Sequence, residues 1–161
     1  MICKRIINYG GENRIREFDK YEFELNIVSS QDKIDNYQEK TIIIVEKKTD
    51  VDKVIDSITR SINYTGLITT TIADLYEVFC NSGVWKFKHM IKNTKNEIIN
   101  EMLKIKTDKM FISILVSENK SLYEYNDIIE NIRKNETENI FFSFPVQTNN
   151  QEGIEVSVFY K

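Results

Sequence analysis

Apolar residues along this chain alternate between two rhythms, short β-branched or every-second-residue runs and stretches repeating every three to four residues. Residues 2–8 and 23–28 read as short strands, with Gly10 and Gly11 marking a turn. Residues 41–45 (TIIIV) form an uninterrupted β-branched run, the pattern of a strand buried on both faces. After it, Val51, Val54, Ile55, Ile58 and Ile62 fall at helical spacing and predict one buried stripe. Asp50 and Asp52 stand in the first turn of that helix, where its dipole favours acids, and Gly66 ends the stretch. A second helix is predicted over 71–80, with Ile72, Leu75, Tyr76 and Phe79 inward and Gly83 placed for a left-handed cap.

Residues 84–90 (VWKFKHM) alternate as in a half-exposed strand. Thr94 with Glu97, and Ser121 with Glu124, have capping-box spacing ahead of two further apolar stripes, Ile98 to Leu103 and Leu122 to Ile132. Between them, 111–116 (FISILV) predicts a central strand. Two last strands, 140–146 and 154–160, are joined by QTNNQEG, which predicts a hairpin. Pro145 has no N–H for a ladder and belongs near a strand end or on an edge. The expected class is α/β, a two-layer mixed sheet with packed helices.

Composition narrows the function classes. At 161 residues the chain suits one core, and its net charge of −3 offers no electrostatic case for nucleic acid or an anionic membrane. No apolar run approaches the roughly 20 residues of a membrane span, and none resembles a signal peptide. Two cysteines, Cys3 and Cys80, make no disulfide framework, so a cytoplasmic setting is expected. Neither cysteine has metal-ligand spacing, and the lone His89 has no adjacent ligand cluster, so it reads as a surface or rim residue and no metal or other cofactor is expected. Cys80 reads as a small buried hydrophobe. Trp85, Phe87, Phe141, Phe142, Phe144 and Phe159 divide between core packing and an exposed aromatic interface, and the sequence leaves both open.

The most informative motif is GLITTTIADL, Gly66 to Leu75. Together with the strand–helix–strand–turn–strand ending, it resembles the C-terminal domain of the FtsZ/tubulin superfamily from its catalytic synergy loop onward. The family pattern is close to GLINVDFADV. Gly66, Leu67, Ile68, Ala73 and Asp74 match it, while the family's Asn and first Asp fall on Thr69 and Thr71. The resemblance runs from about residue 51 to residue 160. It implies an FtsZ C-terminal-like domain over 49–161, and makes 1–48 a shortened β-rich relic of the nucleotide domain, the whole forming one compact unit. The family's GGGTGTG-type phosphate loop has no counterpart here, so GTP binding in the family manner is not expected.

In the family this loop completes the GTPase site of the next subunit, its two acids positioning the attacking water. Here Asp74 alone falls on such an acid, and a threonine hydroxyl is no base near neutral pH. The plainer account of Asp74 is a favourable charge in a helix first turn. The resemblance therefore implies a non-enzymatic protein. Its association surface would be Gly66, Leu67, Ile68, Thr69, Thr70, Thr71 and Asp74, and its partner a full-length FtsZ/tubulin-like protein or itself. Capping or stalling a filament is the expected role. Two alternatives stand beside it: an independent homo-oligomer holding a small ligand between subunits, and an activator supplying Asp74 in trans to a partner GTPase.

Overall fold

A computed structural model describes residues 2–7, 23–29, 40–68, 70–134, 139–148 and 152–161. In chain order the elements are β1 (Ile2–Ile7), β2 (Phe23–Ser29), β3 (Thr41–Val45), α1 (Asp50–Asn63), α2 (Ile72–Phe79), β4 (Gly83–Lys92) and α3 (Lys95–Leu103). They continue with β5 (Lys109–Ser117), a 3-10 turn (Leu122–Tyr125), α4 (Asn126–Arg133), β6 (Asn139–Ser143), β7 (Val146–Gln147) and β8 (Ile154–Tyr160). The sheet runs β1-β2-β3-β4-β8-β5-β6, with β7 pairing β5 farther along. The β2–β3, β3–β4 and β5–β6 pairs are parallel, and β8 lies antiparallel between β4 and β5. A mixed α/β sheet with packed helices is as expected. The Gly10–Gly11 turn lies outside the described residues.

The helices divide between the two faces. Val54 and Ile58 of α1 and Ile72, Leu75, Val78 and Phe79 of α2 pack with Trp85, Phe87, Phe111 and Phe159. On the other face, Ile98 and Met102 of α3 and Ile128 and Ile132 of α4 pack with Met110, Ile112, Ile114 and Val158. The layers therefore number three rather than two. The cause is β5, whose FISILV run is apolar on both faces and needs cover on each. Phe79 is the centre of the first core, with Trp85, Phe111 and Phe159 rings at 5.2, 5.4 and 5.3 Å. Trp85, Phe87, Phe144 and Phe159 are thus core residues, while Phe141 and Phe142 stay half-buried.

The expected terminal hairpin is not formed. The edge strand and β8 do not pair with each other, because β5 lies between them, parallel to β6 and antiparallel to β8. Adjacent strands are about 4.8 Å apart, so the connection steps over one strand, roughly 10 Å, which a loop of this length spans easily. Strand character alone does not name the partner, and β5 needed ladders on both sides.

Pro145 sits on the edge, as its chemistry requires. Ser143 pairs Ser113 and Val146 pairs Val116 at the same offset, so β6 and β7 are one strand in constant register, interrupted at Phe144 and Pro145. The Pro145 carbonyl still accepts from Val116 N–H at 2.9 Å, and its missing N–H is where the ladder breaks. At the end of α2 the left-handed residue is Asn81 (φ 46), while Gly83 has φ 86 at the start of β4. The helix cap expected of Gly83 thus falls to Asn81, which tolerates that conformation with a short polar side chain.

Candidate functional site

The loop between α1 and α2 is fastened to the sheet edge. Leu67 N–H donates to Phe144 O at 3.0 Å, and Val146 N–H donates to Thr65 O at 2.9 Å. The two bonds straddle an antiparallel bridge between Gly66 and Pro145. A Cβ on Gly66 would lie 2.5 Å from Ile68 O and 3.1 Å from Phe144 O, both backbone atoms, so this approach requires glycine. Past the bridge, Leu67 packs against the α3/α4 core and Ile68 turns outward, 43% exposed. Thr69 lies outside the described residues.

Thr70 and Thr71 direct the chain into α2. The Thr70 hydroxyl donates to Ser143 Oγ at 3.1 Å, tying the loop to β6. Thr71 is the N-cap, and its hydroxyl accepts from Asp74 N–H at 3.2 Å. In return Asp74 Oδ2 accepts from Thr71 N–H at 2.6 Å and from the Thr71 hydroxyl at 2.7 Å. This is a capping box with Asp in place of Glu. The sequence reading placed Asp74 in the first turn but did not pair it with Thr71, though the T-x-x-D spacing carried the signal. Asp74 is exposed, and one carboxylate oxygen is occupied by its own helix start. Beside it opens a hollow of about 200 Å³, lined by Ile68, Thr70, Asp74 and Val78 and by the aromatic residues Phe111, Phe141 and Phe142.

Ile68, Thr70 and Asp74 therefore share one hollow beside β6, while Gly66 fastens the loop to the strand, Leu67 packs toward the α3/α4 core and Thr71 caps α2. The chemistry of this stretch is hydroxyls, one carboxylate and apolar groups. Among the described residues no cluster of three His, Cys, Asp or Glu groups close enough to hold a metal occurs.

His89 takes the rim position rather than an open surface one: its side chain is 9% exposed, and Nε2 lies 3.1 Å from Glu155 Oε1, which also accepts from Arg60 Nη1 of α1 at 3.0 Å. His89 also belongs to a polar row across the α1/α2 face, in register with Ser157, Ser113 and Ser143. Ser61 of α1 meets that row, with its Oγ 3.3 Å from Ser113 Oγ. Serines one or two to a strand carry no periodic signal, so only the register reveals the row. Cys80 is half-buried rather than fully buried, packed at the margin of the aromatic core beside Tyr76, whose hydroxyl a hydrogen bond with Cys80 pushes above its usual pKa.

The architecture matches solved structures. An empty FtsZ dimer from M. jannaschii superposes with a TM-score of 0.59 at 15% identity, covering 75% of this chain and 45% of that one. The fold is that of an FtsZ/tubulin-like C-terminal domain. A point mutant of the same M. jannaschii FtsZ gives a TM-score of 0.53 at 16% identity, covering 76% of this chain and 46% of the other. The chain thus spans less than half the length of the FtsZ chains it matches. No protein-family model and no curated protein matches the sequence. Within this FtsZ-like fold, no helix among the described residues is long and apolar enough to cross a membrane.

Proposed function

We propose that this chain is a non-catalytic FtsZ/tubulin-like protein that works by protein–protein association and caps or stalls a filament of tubulin/FtsZ-type subunits. The observation that supports this reading is the state of Asp74. The motif's remaining acid holds two hydrogen bonds from Thr71, and Thr71 itself stands where the family motif carries its other acid. A loop of this kind, docked on a neighbouring subunit, covers that subunit's nucleotide without orienting water toward it. The loop is also built to hold its shape. Gly66 and Thr70 fix the loop to the sheet edge, and Ile68 is presented from it as an apolar contact.

Self-association through the same loop is the second partner choice, supported by the dimeric state of the M. jannaschii FtsZ structure. Residues 1–48 belong to this proposal as a reduced remnant of a nucleotide domain.

The test adds the chain to a full-length FtsZ-type GTPase and follows GTP turnover and sedimentable polymer together. Turnover and polymer should both fall at near-stoichiometric ratios. Unchanged turnover and unchanged polymer would sink the proposal. Faster turnover, abolished by Asp74→Ala, would instead identify an activator.

A further inference from the structure

The outer edge of β6 carries a second message. Asn139 N–H donates inward to Asp108 O and the Pro145 carbonyl accepts from Val116, so odd-numbered residues of this strand face β5. The even-numbered ones face outward. Phe144 and Val146 have their outward groups taken by Leu67 and Thr65, on either side of Gly66. The next two outward positions, Ile140 and Phe142, have no strand partner on that side among the described residues. Proteins usually blunt such an edge with lysine, proline or a bulge. Here it reads NIFFS, without charge, and the strand's proline lies where the Gly66 loop already covers it.

We propose that the β6 edge binds an extended peptide segment by strand addition, continuing the ladder that Gly66 begins and placing one apolar side chain in the hollow lined by Phe111 and Phe141. The backbone groups of Ile140 and Phe142 supply the hydrogen bonds. Charge defines the segment further. On the α2 face the hollow is rimmed by Asp74, and Lys109, whose Nζ lies 5.8 Å over the Phe141 ring, is flanked by Glu77 and by Lys161. On the opposite face the exposed Arg133 guanidinium lies 6.0 Å over Phe142 and, among the described residues, makes no ion pair. Alternate residues of a strand point to opposite faces, so the fitting segment carries a basic residue toward Asp74, an acidic one toward Arg133, and an aliphatic or aromatic one at the hollow. A second copy of this chain fits less well. Two-fold pairing of β6 with β6 preserves the faces and brings the Asp74 carboxylates of both copies to one side and their Arg133 guanidiniums to the other. The inference goes beyond the filament reading but shares its surface, so a bound segment would compete with docking of the loop.

The probe is a pool of end-capped heptapeptides, Thr-Lys-Glu-Xaa-Glu-Lys-Thr, with Val, Ile, Leu, Phe or Tyr at the centre, added to the full chain with no partner GTPase present. Backbone NMR follows each amide. The expected result is saturable shifts and slowed hydrogen exchange at the Ile140 and Phe142 amides. Affinity should fall about tenfold or more for peptides N-methylated at alternate residues, which removes two or more backbone bonds. It should fall severalfold for the charge-swapped pool with Lys and Glu exchanged. Equal binding of the N-methylated pool, protection located elsewhere, or no response at β6 up to millimolar peptide overturns the proposal. Protection of the same amides by concentration alone, with dimers in sedimentation, makes a second copy the occupant and also overturns it. Because no GTPase is present, none of these outcomes bears on the filament reading.

Discussion

Two helices in this molecule begin the same way and do different things. At α2 the Thr71 N–H and hydroxyl reach Asp74 Oδ2 at 2.6 and 2.7 Å, and Asp74 N–H returns to the Thr71 hydroxyl at 3.2 Å. At α3 the same three bonds join Thr94 and Glu97 at 2.9, 3.0 and 3.3 Å. Both boxes are exposed, and both acids offset the positive end of a helix. Only the first lies in a motif that resembles a catalytic loop. The likeness of the two boxes teaches that Asp74, like Glu97, commits one carboxylate oxygen to helix initiation. What distinguishes the α2 start is the chain ahead of it. Gly66 is stapled to Pro145, Ile68 is held outward, and Thr70 is tied to β6, whereas α3 is preceded by the end of β4 and two turn residues. On this comparison it is the loop, and not the carboxylate, that sets the α2 start apart from the α3 start.

The comparison breaks most directly at Gly66. Gly66→Val places side-chain atoms against the carbonyl oxygens of Ile68 and Phe144, and neither backbone can retreat without losing the bonds to Leu67 and Val146. The expected cost is about 1–3 kcal/mol, the range of overpacked sites, read as a lower urea midpoint with an unchanged slope. No equivalent substitution ahead of α3 should approach it. A loss under about 0.5 kcal/mol, the level of an ordinary surface change, would mean that the staple does not hold the loop.

A smaller effect sharpens the likeness itself. Thr71→Ala and Thr94→Ala should each cost about 1 kcal/mol, as N-cap losses do. The boxes share no partner, so the double variant should equal the sum within about 0.5 kcal/mol. Thr71→Ala proving neutral or stabilising would show that the α2 start is held in a geometry serving something other than the helix. That result would restore a functional role to Asp74.

Much of this arrangement is legible in the residues, and the parts that are not share a cause. Stripes such as Val54–Ile58 and Ile98–Met102 announce helices because the 3.6-residue period is local. The same holds for the Thr94 and Ser121 starts, and Ser121 N–H indeed meets Glu124 Oε2 at 2.9 Å. The apolar run of β5 likewise announces burial on both faces, and followed to its end it implies helices on both sides. Pairing is a different matter. Nothing in IFFSF or IEVSVFY states that β5 separates them, so an expected hairpin became a crossover. Register hid the His89–Ser157–Ser113–Ser143 row for the same reason, since each residue is unremarkable in its own strand and meaningful only beside its neighbours. The site was half legible. GLI and AD mark the loop, but the staple through Pro145 joins residues far apart in sequence and appears only in three dimensions.

The finest contrast lies in proton linkage along α3. Glu97 is held below the usual glutamate range by its bonds from Thr94. Glu101, one turn on, is lowered further, from 4.5 to about 2, by hydrogen bonds from Lys104 and Lys88 and by the charge of Lys88. Lys88 belongs to β4, so its 2.7 Å contact with Glu101 Oε2 fastens α3 to the sheet. Both carboxyls bind protons less readily folded than unfolded. Their contribution is therefore complete above the unfolded value, about 4.5, and disappears as pH falls through the folded value. Stability should decline across that window, the slope following the extra protons taken up by the unfolded chain. Glu101→Gln removes the larger of the two differences. Its stability should be lower than wild type at neutral pH, with the gap closing steadily from about 4.5 toward 2. Glu97→Gln should show the same convergence over a narrower span, its shift being smaller. Urea midpoints at a series of acidic pH values decide the matter. Parallel wild-type and Glu101→Gln curves across the window would mean that Lys88 and Lys104 leave this carboxyl ordinary, and that α3 is held to the sheet by its apolar face alone.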